Sequence, residues 1–454
     1  MKKLFVVIGL GNSGFSIAKF LLQQGQDIVV MDTRAEPPCL AAFKKFFPEV
    51  KILLGNLDEA ILHTADEIVL SPGVARSEPA IAKAIAKGKS VIGDIELFAR
   101  HVKAPVIAIT GTNAKSTVTT LVGEMARAAG LNVCVGGNLG TPALDLLAGD
   151  QLLPASSRSR NDGIPDVYVL ELSSFQLEST RSLKPRVATV LNVTPDHMDR
   201  YADFAAYCKT KQLIYQNCET AVCYWEDENT HWSAQNTLYF TKQTPSNEKI
   251  FGLRQEKGEA YLAQGDQLLL PVNDLLLRGE HDQLNALAAL AIGFGFGLPM
   301  QAMLNALKNF RGLPHRCQLV REYHGVAWYN DSKGTNVGAT IAAISGLAAT
   351  HSGKIILIAG GVGKGADFSE LAREVQKHIK ASVLIGESAK ELAGLFKIKT
   401  EFANSMEEAV NKANQFAQNG DRVLLSPACA SLDMFKNFEH RGEVFVACVN
   451  ALEI

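Results

Sequence analysis

The chain has 454 residues, a formal net charge of −2 and 47% apolar residues. A chain of this length is too long to fold around one ordinary hydrophobic core, so we predict about three domains. The near-neutral charge, without a dense cluster of Lys and Arg, excludes the usual electrostatic signature of a nucleic-acid-binding protein. The eight cysteines form no C-x-x-C pair, which argues against structural zinc and favours a reducing, cytoplasmic location. The longest uncharged stretch, residues 286–300, is shorter than the ~20 residues of a membrane span, so we expect no membrane association.

Residues 1–102 alternate short β-branched runs with helical stretches, a pattern typical of βαβ units and a parallel sheet. The charged start and the run LFVVIGLG imitate a signal peptide, but glycines and an amphipathic helix follow, so we predict a first strand. The segment Gly9–Gly14 (GLGNSG) follows that strand and precedes Asp32, which matches the dinucleotide-binding fingerprint. Such glycines let a backbone approach any nucleotide diphosphate. NAD, UDP and a tight turn without ligand therefore all remain open.

Residues 103–312 begin with a strand that enters Gly111–Thr117 (GTNAKST) and then a helix. This arrangement predicts a phosphate-binding loop in which Lys115 reaches the β/γ oxygens and the Ser116 hydroxyl meets Mg²⁺. A strict G-x-x-x-x-G-K-[ST] pattern fails, because Ile109 and Ala114 occupy the glycine positions. A capped helix start without phosphate is the alternative interpretation.

Three further residues of this block are candidate metal ligands. Glu171 ends a predicted strand, where a carboxylate beside a phosphate loop commonly holds Mg²⁺, although a lone Glu there is usually just solvated. His197 follows another strand, and a neutral imidazole ligates metals. Lys211 lies in a predicted helix and, from its pattern alone, we predict it to be a surface residue, since an unmodified lysine is no metal ligand.

Residues 313–454 alternate strands and helices again, so the fold class is α/β throughout. We predict a Rossmann-like N-terminal domain (1–102), a central P-loop mononucleotide-binding domain (103–312) and a Rossmann-like C-terminal domain (313–454). Residues 149–165, rich in Ser, Asn, Gly and Pro, are predicted to form an exposed insertion. Polar segments after strands at 330–336, at Lys364 and at 431–438 lie where an open α/β sheet binds ligands.

Taken together, the ordered motifs resemble those of the Mur ligases over roughly residues 5–445. They are GTNAKST, ELSSFQLE, NVTPDHMDRY, KTKQLIY, LNALAAL, GLPHR, NDSKGTN, GGVGKGADF and SPACASLDMFKNFEHRG. Family members that add other amino acids usually carry a D-Y-A-H-type segment where this chain has NDSKGTN. That difference favours the D-glutamate-adding branch of the family.

The resemblance implies an ATP-dependent ligase of cytoplasmic peptidoglycan precursor synthesis. ATP would phosphorylate the L-alanine carboxylate of UDP-N-acetylmuramoyl-L-alanine. The amine of D-glutamate would then attack the acyl phosphate and expel phosphate, with catalysis mainly by positioning and charge neutralisation.

The resemblance also implies roles for individual residues. The ATP contacts would be Gly111, Thr112, Asn113, Ala114, Lys115, Ser116, Thr117, Asn285, Arg316 and Asp331. Magnesium would be held by Ser116, Glu171, His197 and a carbamylated Lys211. The catalytic residues would be Lys115, Glu171, His197 and Lys211. The UDP-sugar would meet Asn12, Ser13, Gly14, Asp32, Thr33, Arg34, Gly73 and Asn138. The D-glutamate carboxylates would meet Lys333, Thr335, Lys364, Ser431 and the backbone of Phe438.

Two positions depart from the family pattern: Ala114 stands where Gly is usual, and Asp282 where Asn is common. The Cβ of Ala114 would crowd the phosphate or oppose a positive φ, which weakens ATP binding at most. Three alternatives remain: a related ligase for another amino acid or for folate-type glutamate, a nicotinamide oxidoreductase, and a nucleotide-binding regulatory protein on an inactive ligase scaffold. We expect a monomer.

Overall fold

The computed structural model of the chain describes residues 2–147, 164–277, 279–350 and 353–452. Most of the predicted insertion, residues 149–163, lies outside the described residues. The chain divides into two compact units. The first comprises Met1–Val193, Ala205–Leu270 and Ala286–Leu307, and the second comprises Thr194–Phe204, Pro271–Asn285 and Lys308–Ile454. The predicted domain boundaries at 102/103 and 312/313 stay predictions.

The first sheet is parallel, with strand order β3-β2-β1-β4-β5. Its strands are β1 (Leu4–Ile8), β2 (Asp27–Asp32), β3 (Lys51–Leu54), β4 (Glu67–Leu70) and β5 (Val91–Gly93). The connecting helices are α1 (Asn12–Gln23), α2 (Leu40–Phe46), α3 (Glu59–Thr64), α4 (Pro79–Ala86) and α5 (Asp94–Ala99). The β-branched residues of β1 and β4 are buried, as expected of central parallel strands covered on both faces.

The second sheet has strand order β14-β13-β12-β11-β10-β9-β6-β8-β7. Its strands are β6 (Val106–Thr110), β7 (Val133–Gly137), β8 (Val167–Glu171), β9 (Val187–Val190), β10 (Thr220–Tyr224), β11 (Asn236–Phe240), β12 (Ile250–Glu256), β13 (Glu259–Gln264) and β14 (Gln267–Pro271). The helices of this part of the chain are α6 (Lys115–Ala128), α7 (Ala143–Leu147), α8 (Ser174–Leu177), α9 (Phe204–Gln212), α10 (Glu280–Phe296) and α11 (Met300–Asn309). In sheet order, the neighbouring strands β7, β8, β6, β9, β10, β11 and β12 pair in parallel. Strand β13 pairs antiparallel with β12.

The third sheet has strand order β15-β16-β20-β17-β18-β19 and is parallel apart from β15. Its strands are β15 (Gln318–Tyr323), β16 (Val326–Asn330), β17 (Ile355–Gly360), β18 (Ile379–Ile385), β19 (Lys399–Ala403) and β20 (Arg422–Leu425). Its helices are α12 (Val337–Thr350), α13 (Ser369–His378), α14 (Ala389–Phe396), α15 (Met406–Phe416) and α16 (Phe438–Asn450). Apolar clusters bury both faces of this sheet, so the predicted α/β fold class is confirmed.

Among the described residues, no helix has the length and apolar character that crossing a membrane requires.

The loop between β1 and α1 depends on two glycines. Gly9 has a φ of +92°, and a Cβ on it would lie 2.9 Å from side-chain atoms of both Ser71 and Val74. A Cβ on Gly14 would overlap the Gly9 carbonyl. These positions therefore hold glycine for backbone conformation and for close packing of α1 on the sheet.

We expect Gly9→Ala to lower the free energy of unfolding of the first unit by ~2–4 kcal/mol, from left-handed strain plus overpacking. Gly11→Ala is the matched control, since φ at Gly11 is −91° and a Cβ there meets nothing within 4 Å. The control should cost less than about 1 kcal/mol, the scale of an N-cap change. Denaturant unfolding of both variants measures the two free energies. Equal losses of stability in Gly9→Ala and Gly11→Ala would contradict the prediction.

Candidate active site

The loop Gly9–Gly14 lies at the carboxyl edge of the first sheet, as the sequence predicts. It follows β1, while Asp32 ends the neighbouring β2 and Ser71–Gly73 follow β4 on the other side. The strand order reverses between β1 and β4, so this edge forms the crevice where open α/β sheets bind nucleotides. Asn12 opens α1 and is exposed, as are Thr33, Arg34 and Gly73.

The Asp32 carboxylate is occupied by groups of the protein itself. One oxygen accepts from the Leu10 amide (2.7 Å) and from Arg34 Nη2 (2.7 Å). The other accepts from the Arg34 amide and from Arg34 Nε, both at 2.9 Å. Burial alone would raise the pKa of Asp32, but these hydrogen bonds outweigh burial and hold the pKa below its ordinary value.

Four donors fill the acceptor positions of Asp32, which in a nicotinamide enzyme would receive the ribose hydroxyls. The Arg34 side chain is instead half exposed and presents a cation at this edge. An Asp32 carboxylate occupied in this way is a poor acceptor for ribose hydroxyls, which argues against NAD.

The predicted phosphate loop follows β6 and ends where α6 begins at Lys115. The Lys115 ammonium donates to the carbonyl oxygens of Gly111 (3.0 Å) and Thr112 (2.9 Å). Ser116 and Thr117 are buried in the first turn of α6. Backbone amides at a helix start together with a lysine are the groups that bind phosphate oxygens.

Ala114 is the N-cap of α6 and has a φ of +65°. The sequence raised the concern that a Cβ opposes a positive φ at this position. Ala114 nonetheless adopts the left-handed conformation. This conformation costs alanine roughly 1–2 kcal/mol more than it would cost glycine at the same position.

Lys211 is not a surface residue, and that prediction was wrong. It is 2% exposed on α9, and its ammonium donates to the Gly111 carbonyl at 2.8 Å. The ring of Tyr207 lies 4.6 Å from the same nitrogen. The pattern of α9 gave no sign of this contact, because Gly111 lies 100 residues earlier, in the loop after β6. Lys211 and Lys115 thus converge on one carbonyl oxygen of the phosphate loop.

Glu171 is also buried beside this loop, because β8 pairs directly with β6. Its Oε1 accepts from the Asn138 side-chain amide at 2.6 Å. Its Oε2 has no hydrogen-bond partner among the described residues. A buried carboxylate oxygen without a donor is costly, and a bound cation would remove that cost.

Asn192, which the sequence analysis did not single out, clamps the phosphate loop. Its Oδ1 accepts from the Asn113 amide (2.8 Å) and its Nδ2 donates to the Asn113 carbonyl (3.2 Å). Its own carbonyl accepts from the Thr112 amide at 2.9 Å. The sequence could have indicated this role, because Asn192 lies just after β9, the strand next to β6.

A second missed residue is Asp94, at the start of α5. Its carboxylate accepts from Gln176 Nε2 (2.9 Å), and Gln176 Oε1 accepts from the Ser173 amide (3.0 Å). Ser173 lies two residues after Glu171, so this buried relay fixes the turn that follows β8. Burial raises the pKa of Asp94 to about 6, although the hydrogen bonds from Gln176 and the Ile95 amide lower it.

In the second unit, Asp331 follows β16 and is buried. Its carboxylate accepts from the Cys317 amide (3.1 Å) and from the Ser426 hydroxyl (2.7 Å). Burial raises the pKa of Asp331 to about 6 against those hydrogen bonds. Arg316 precedes Cys317 directly, and Asn285 lies in the second turn of α10, which begins at Glu280.

The other predicted ligands of the second unit follow β16, β17 and β20 at one edge of the third sheet. Lys333 Nζ lies 3.7 Å from the Phe438 ring centroid. Lys364, after β17, forms a 2.8 Å ion pair with Asp196. Thr335 is half-buried and Ser431 is buried.

His197 belongs to the second unit and has a φ of +58°. Ser116, Glu171 and Lys211 belong to the first unit. Among the described residues, no three His, Cys, Asp or Glu side chains cluster as a metal site. In the first unit, the buried oxygen of Glu171 is the observation that suits a cation.

Three family models match the chain in order. They are the Mur ligase MurD-like N-terminal domain over residues 3–93, the Mur ligase middle domain over residues 109–293 and the Mur ligase glutamate ligase domain over residues 315–429.

Curated relatives align with nearly the whole chain. UDP-N-acetylmuramoylalanine–D-glutamate ligase of Legionella pneumophila (strain Paris) is 50% identical over 99% of both chains. The ligase of the same name from Nitrosococcus oceani is 51% identical over 98% of this chain and 96% of its own. Among solved structures, UDP-N-acetylmuramate-alanine ligase of Thermotoga maritima has a TM-score of 0.63 at 18% identity, covering 100% of both chains. The MurF ligase of Thermotoga maritima in complex with ADP has a TM-score of 0.60 at 16% identity, over 99% of this chain and 96% of its own. These structures share the fold.

Ala114→Gly should raise the free energy of unfolding by up to ~1 kcal/mol, because relief of left-handed strain exceeds the added entropy of glycine in the unfolded chain. Ala128→Gly, at the exposed end of the same helix, is the control and should lower stability by up to ~1 kcal/mol. Denaturant unfolding measures both. Equal destabilisation by the two variants would show that the left-handed backbone at Ala114 carries no strain.

The raised pKa of Asp94 predicts a pH-dependent stability. The folded carboxyl titrates near 6 against an ordinary value of 3.8, so its contribution is fully present below pH 3.8 and is lost as pH rises through 6. From pH 4 to pH 8 the wild type should therefore lose stability relative to Asp94→Asn, by roughly 3 kcal/mol at most. Unfolding at several pH values tests this, and a constant difference between the two proteins would refute it.

Proposed function

The chain belongs to the Mur ligase family, and we propose that it joins D-glutamate to UDP-N-acetylmuramoyl-L-alanine while converting ATP to ADP and phosphate. The observation that carries the proposal is 50–51% identity, over at least 96% of either chain, to curated ligases of that name. The glutamate ligase domain matched over residues 315–429 supports the choice of amino acid. The chain would act in the synthesis of peptidoglycan precursors.

In this reaction the γ-phosphoryl group of ATP passes to the L-alanine carboxylate, giving an acyl phosphate and ADP. The D-glutamate amine then attacks the acyl carbon, phosphate leaves, and the amide nitrogen loses a proton. The loop Gly111–Thr117 would bind the ATP phosphates through backbone amides at the start of α6. Lys115, whose ammonium now rests on loop carbonyls 2.9–3.0 Å away, would neutralise charge on the transferred group. The family resemblance also implies nucleotide contacts for Asn285, Arg316 and Asp331, which belong to the second unit, and these contacts stay predictions.

Mg²⁺ suits the buried carboxylate beside the phosphate loop, and Ser116, Glu171 and Lys211 of the first unit would hold it. The family resemblance adds His197, which belongs to the second unit, and its role stays a prediction. When bound, Mg²⁺ supplies positive charge that neutralises phosphate oxygens. The buried Glu171 Oε2, which has no donor in the described part of the chain, suits a hard cation, while Asn138 donates to Oε1 and helps to orient the carboxylate.

Lys211 would serve this site as a carbamate. The neutral amine adds to CO₂, forms an N–C bond and releases a proton, which converts a cation into an anion with two oxygen ligands. Two observations support the modification: Lys211 is 2% exposed, and its ammonium shares the Gly111 carbonyl with that of Lys115. Two cations at one carbonyl repel each other, and an anionic carbamate would reverse the interaction.

The UDP-sugar would bind at the first sheet through Asn12, Ser13, Gly14, Asp32, Thr33, Arg34, Gly73 and Asn138. The half-exposed Arg34 side chain, whose Nε and Nη2 donate to Asp32, supports contact with the UDP-sugar at this edge. D-glutamate would bind at the third sheet through Lys333, Thr335, Lys364, Ser431 and the Phe438 backbone. Two lysines suit a ligand with two carboxylates. A monomer, a cytoplasmic location and the lack of nucleic-acid or membrane partners stay predictions.

The proposal is tested by phosphate release from ATP and Mg²⁺ in the presence of UDP-N-acetylmuramoyl-L-alanine. We expect turnover with D-glutamate and none with L-glutamate, L-alanine, L-lysine or meso-diaminopimelate. Turnover with another amino acid would keep the ligase class and overturn the substrate. No turnover with any of them would favour the regulatory-protein alternative.

Carbamylation of Lys211 is tested with ¹³C-bicarbonate. The wild type should show a carbamate carbon signal by NMR, and Lys211→Arg should lose both this signal and about 90–99% of the activity, the 10- to 100-fold scale for removing support of a metal site. Lys209→Arg, an exposed neighbour on the same helix, is the control and should keep both. Full activity of Lys211→Arg would rule the modification out as a requirement.

A further inference from the structure

A fully buried arginine lies beneath the predicted amino-acid-binding loops. Arg441, in the first turn of α16, is 0% exposed. Its Nε donates to the Ser332 hydroxyl (3.0 Å) and its Nη2 to the Ser332 carbonyl (2.8 Å). Its Nη1 donates to the Cys429 carbonyl (3.1 Å). One guanidinium therefore joins the segment after β16 to the segment after β20.

These two segments carry predicted D-glutamate ligands. Ser332 precedes Lys333, and its hydroxyl donates to the Phe438 carbonyl at 2.8 Å. Lys333 in turn stacks on the Phe438 ring. The Phe438 backbone and the Lys333 ammonium are thus both tied to the residue that Arg441 holds.

Two further predicted ligands, Ser431 and Lys364, lie on the same framework. Cys429 precedes Ser431 by two residues. Ala430, between them, exchanges two backbone hydrogen bonds with Val362 (2.9 and 3.0 Å), which precedes Lys364 by two residues. The contacts of Arg441 therefore extend to all the loops that carry Lys333, Lys364, Ser431 and Phe438.

Among the residues that the structure describes, no carboxylate is hydrogen-bonded to Arg441, and its three hydrogen bonds go to a hydroxyl and two carbonyls. Burial lowers the pKa of Arg441 to about 10, and nearby acidic groups offset only part of this effect. The side chain remains a cation at neutral pH. Burying a guanidinium without an anionic partner is costly, so apolar packing alone does not explain it.

We propose that Arg441 is a positioning residue for the D-glutamate subsite: it holds the two ligand-bearing segments in register, and its unpaired buried charge favours a ligand with two carboxylates. The proposal rests on the proposed function. Arginine suits both tasks because its planar fork reaches two segments at once, whereas lysine keeps the charge but presents a single nitrogen.

The test compares Arg441→Met, which removes both the positive charge and the planar guanidinium group, with Arg441→Lys, which keeps the charge. For each protein, KM is measured for D-glutamate, ATP and UDP-N-acetylmuramoyl-L-alanine, together with kcat and the thermal midpoint. Arg441→Met should raise the D-glutamate KM about tenfold or more, the scale for losing hydrogen bonds to a charged group, with the other two KM values within about twofold. Arg441→Lys should recover part of the loss.

Arg422→Met is the matched control. Arg422 is 5% exposed and donates to the Leu347 carbonyl (3.1 Å) at the amino end of β20, away from the ligand-bearing edge. This variant should lower the thermal midpoint and leave the D-glutamate KM unchanged.

Different results would refute the proposed function and the role of Arg441. A wild type without D-glutamate-dependent turnover would refute the proposed function itself. With an active wild type, an unchanged D-glutamate KM in Arg441→Met, or an equal rise of all three KM values, would overturn the role of Arg441. If Arg441→Met does not fold, Arg441→Lys decides by the same D-glutamate-selective criterion.

Discussion

Parallel strands end together at one edge of a sheet, and every candidate ligand site of this chain depends on that constraint. In the first sheet the Gly9–Gly14 loop, Asp32 and Gly73 follow the adjacent strands β1, β2 and β4. In the second sheet the phosphate loop, Glu171 and Asn192 follow the adjacent strands β6, β8 and β9. In the third sheet the predicted amino-acid ligands follow the adjacent strands β16, β20 and β17. Residues far apart in sequence meet because their strands are neighbours.

The charged groups at these edges are held mainly by backbone carbonyls and amide side chains. Lys115 and Lys211 donate to loop carbonyls, Glu171 accepts from Asn138, and Arg441 donates to carbonyls and a hydroxyl. Neutral partners orient a charge without cancelling it, so its field remains available to phosphates, metal ions or carboxylates. Two ion pairs are exceptions, since Arg34 pairs directly with Asp32 and Lys364 with Asp196.

Strained backbone concentrates in the same places. Several non-glycine residues of the ligand-bearing segments have positive φ, namely Ala114, His197, Cys317, Lys364 and Ala428. Such conformations cost free energy and persist where the surrounding hydrogen bonds over-determine them. Ala114 illustrates the point, since Asn192 clamps the residue before it. The cost is consistent with loops shaped for ligand contact.

The sequence alone determined the α/β class, the alternation of strands and helices, and the motifs predicted to contact nucleotide and amino acid, because periodicity and loop composition are local properties. It also placed Gly9, Asp32 and Glu171 at strand ends and Lys115 in the predicted loop between a strand and a helix. Only the tertiary structure decided which of these side chains are buried and what they touch. Lys211 was predicted to lie on the surface, and the roles of Asn192, Asp94 and Arg441 were missed. The reason is physical: their partners lie 79–109 residues away in sequence, and such contacts arise from strand order, which no local pattern encodes.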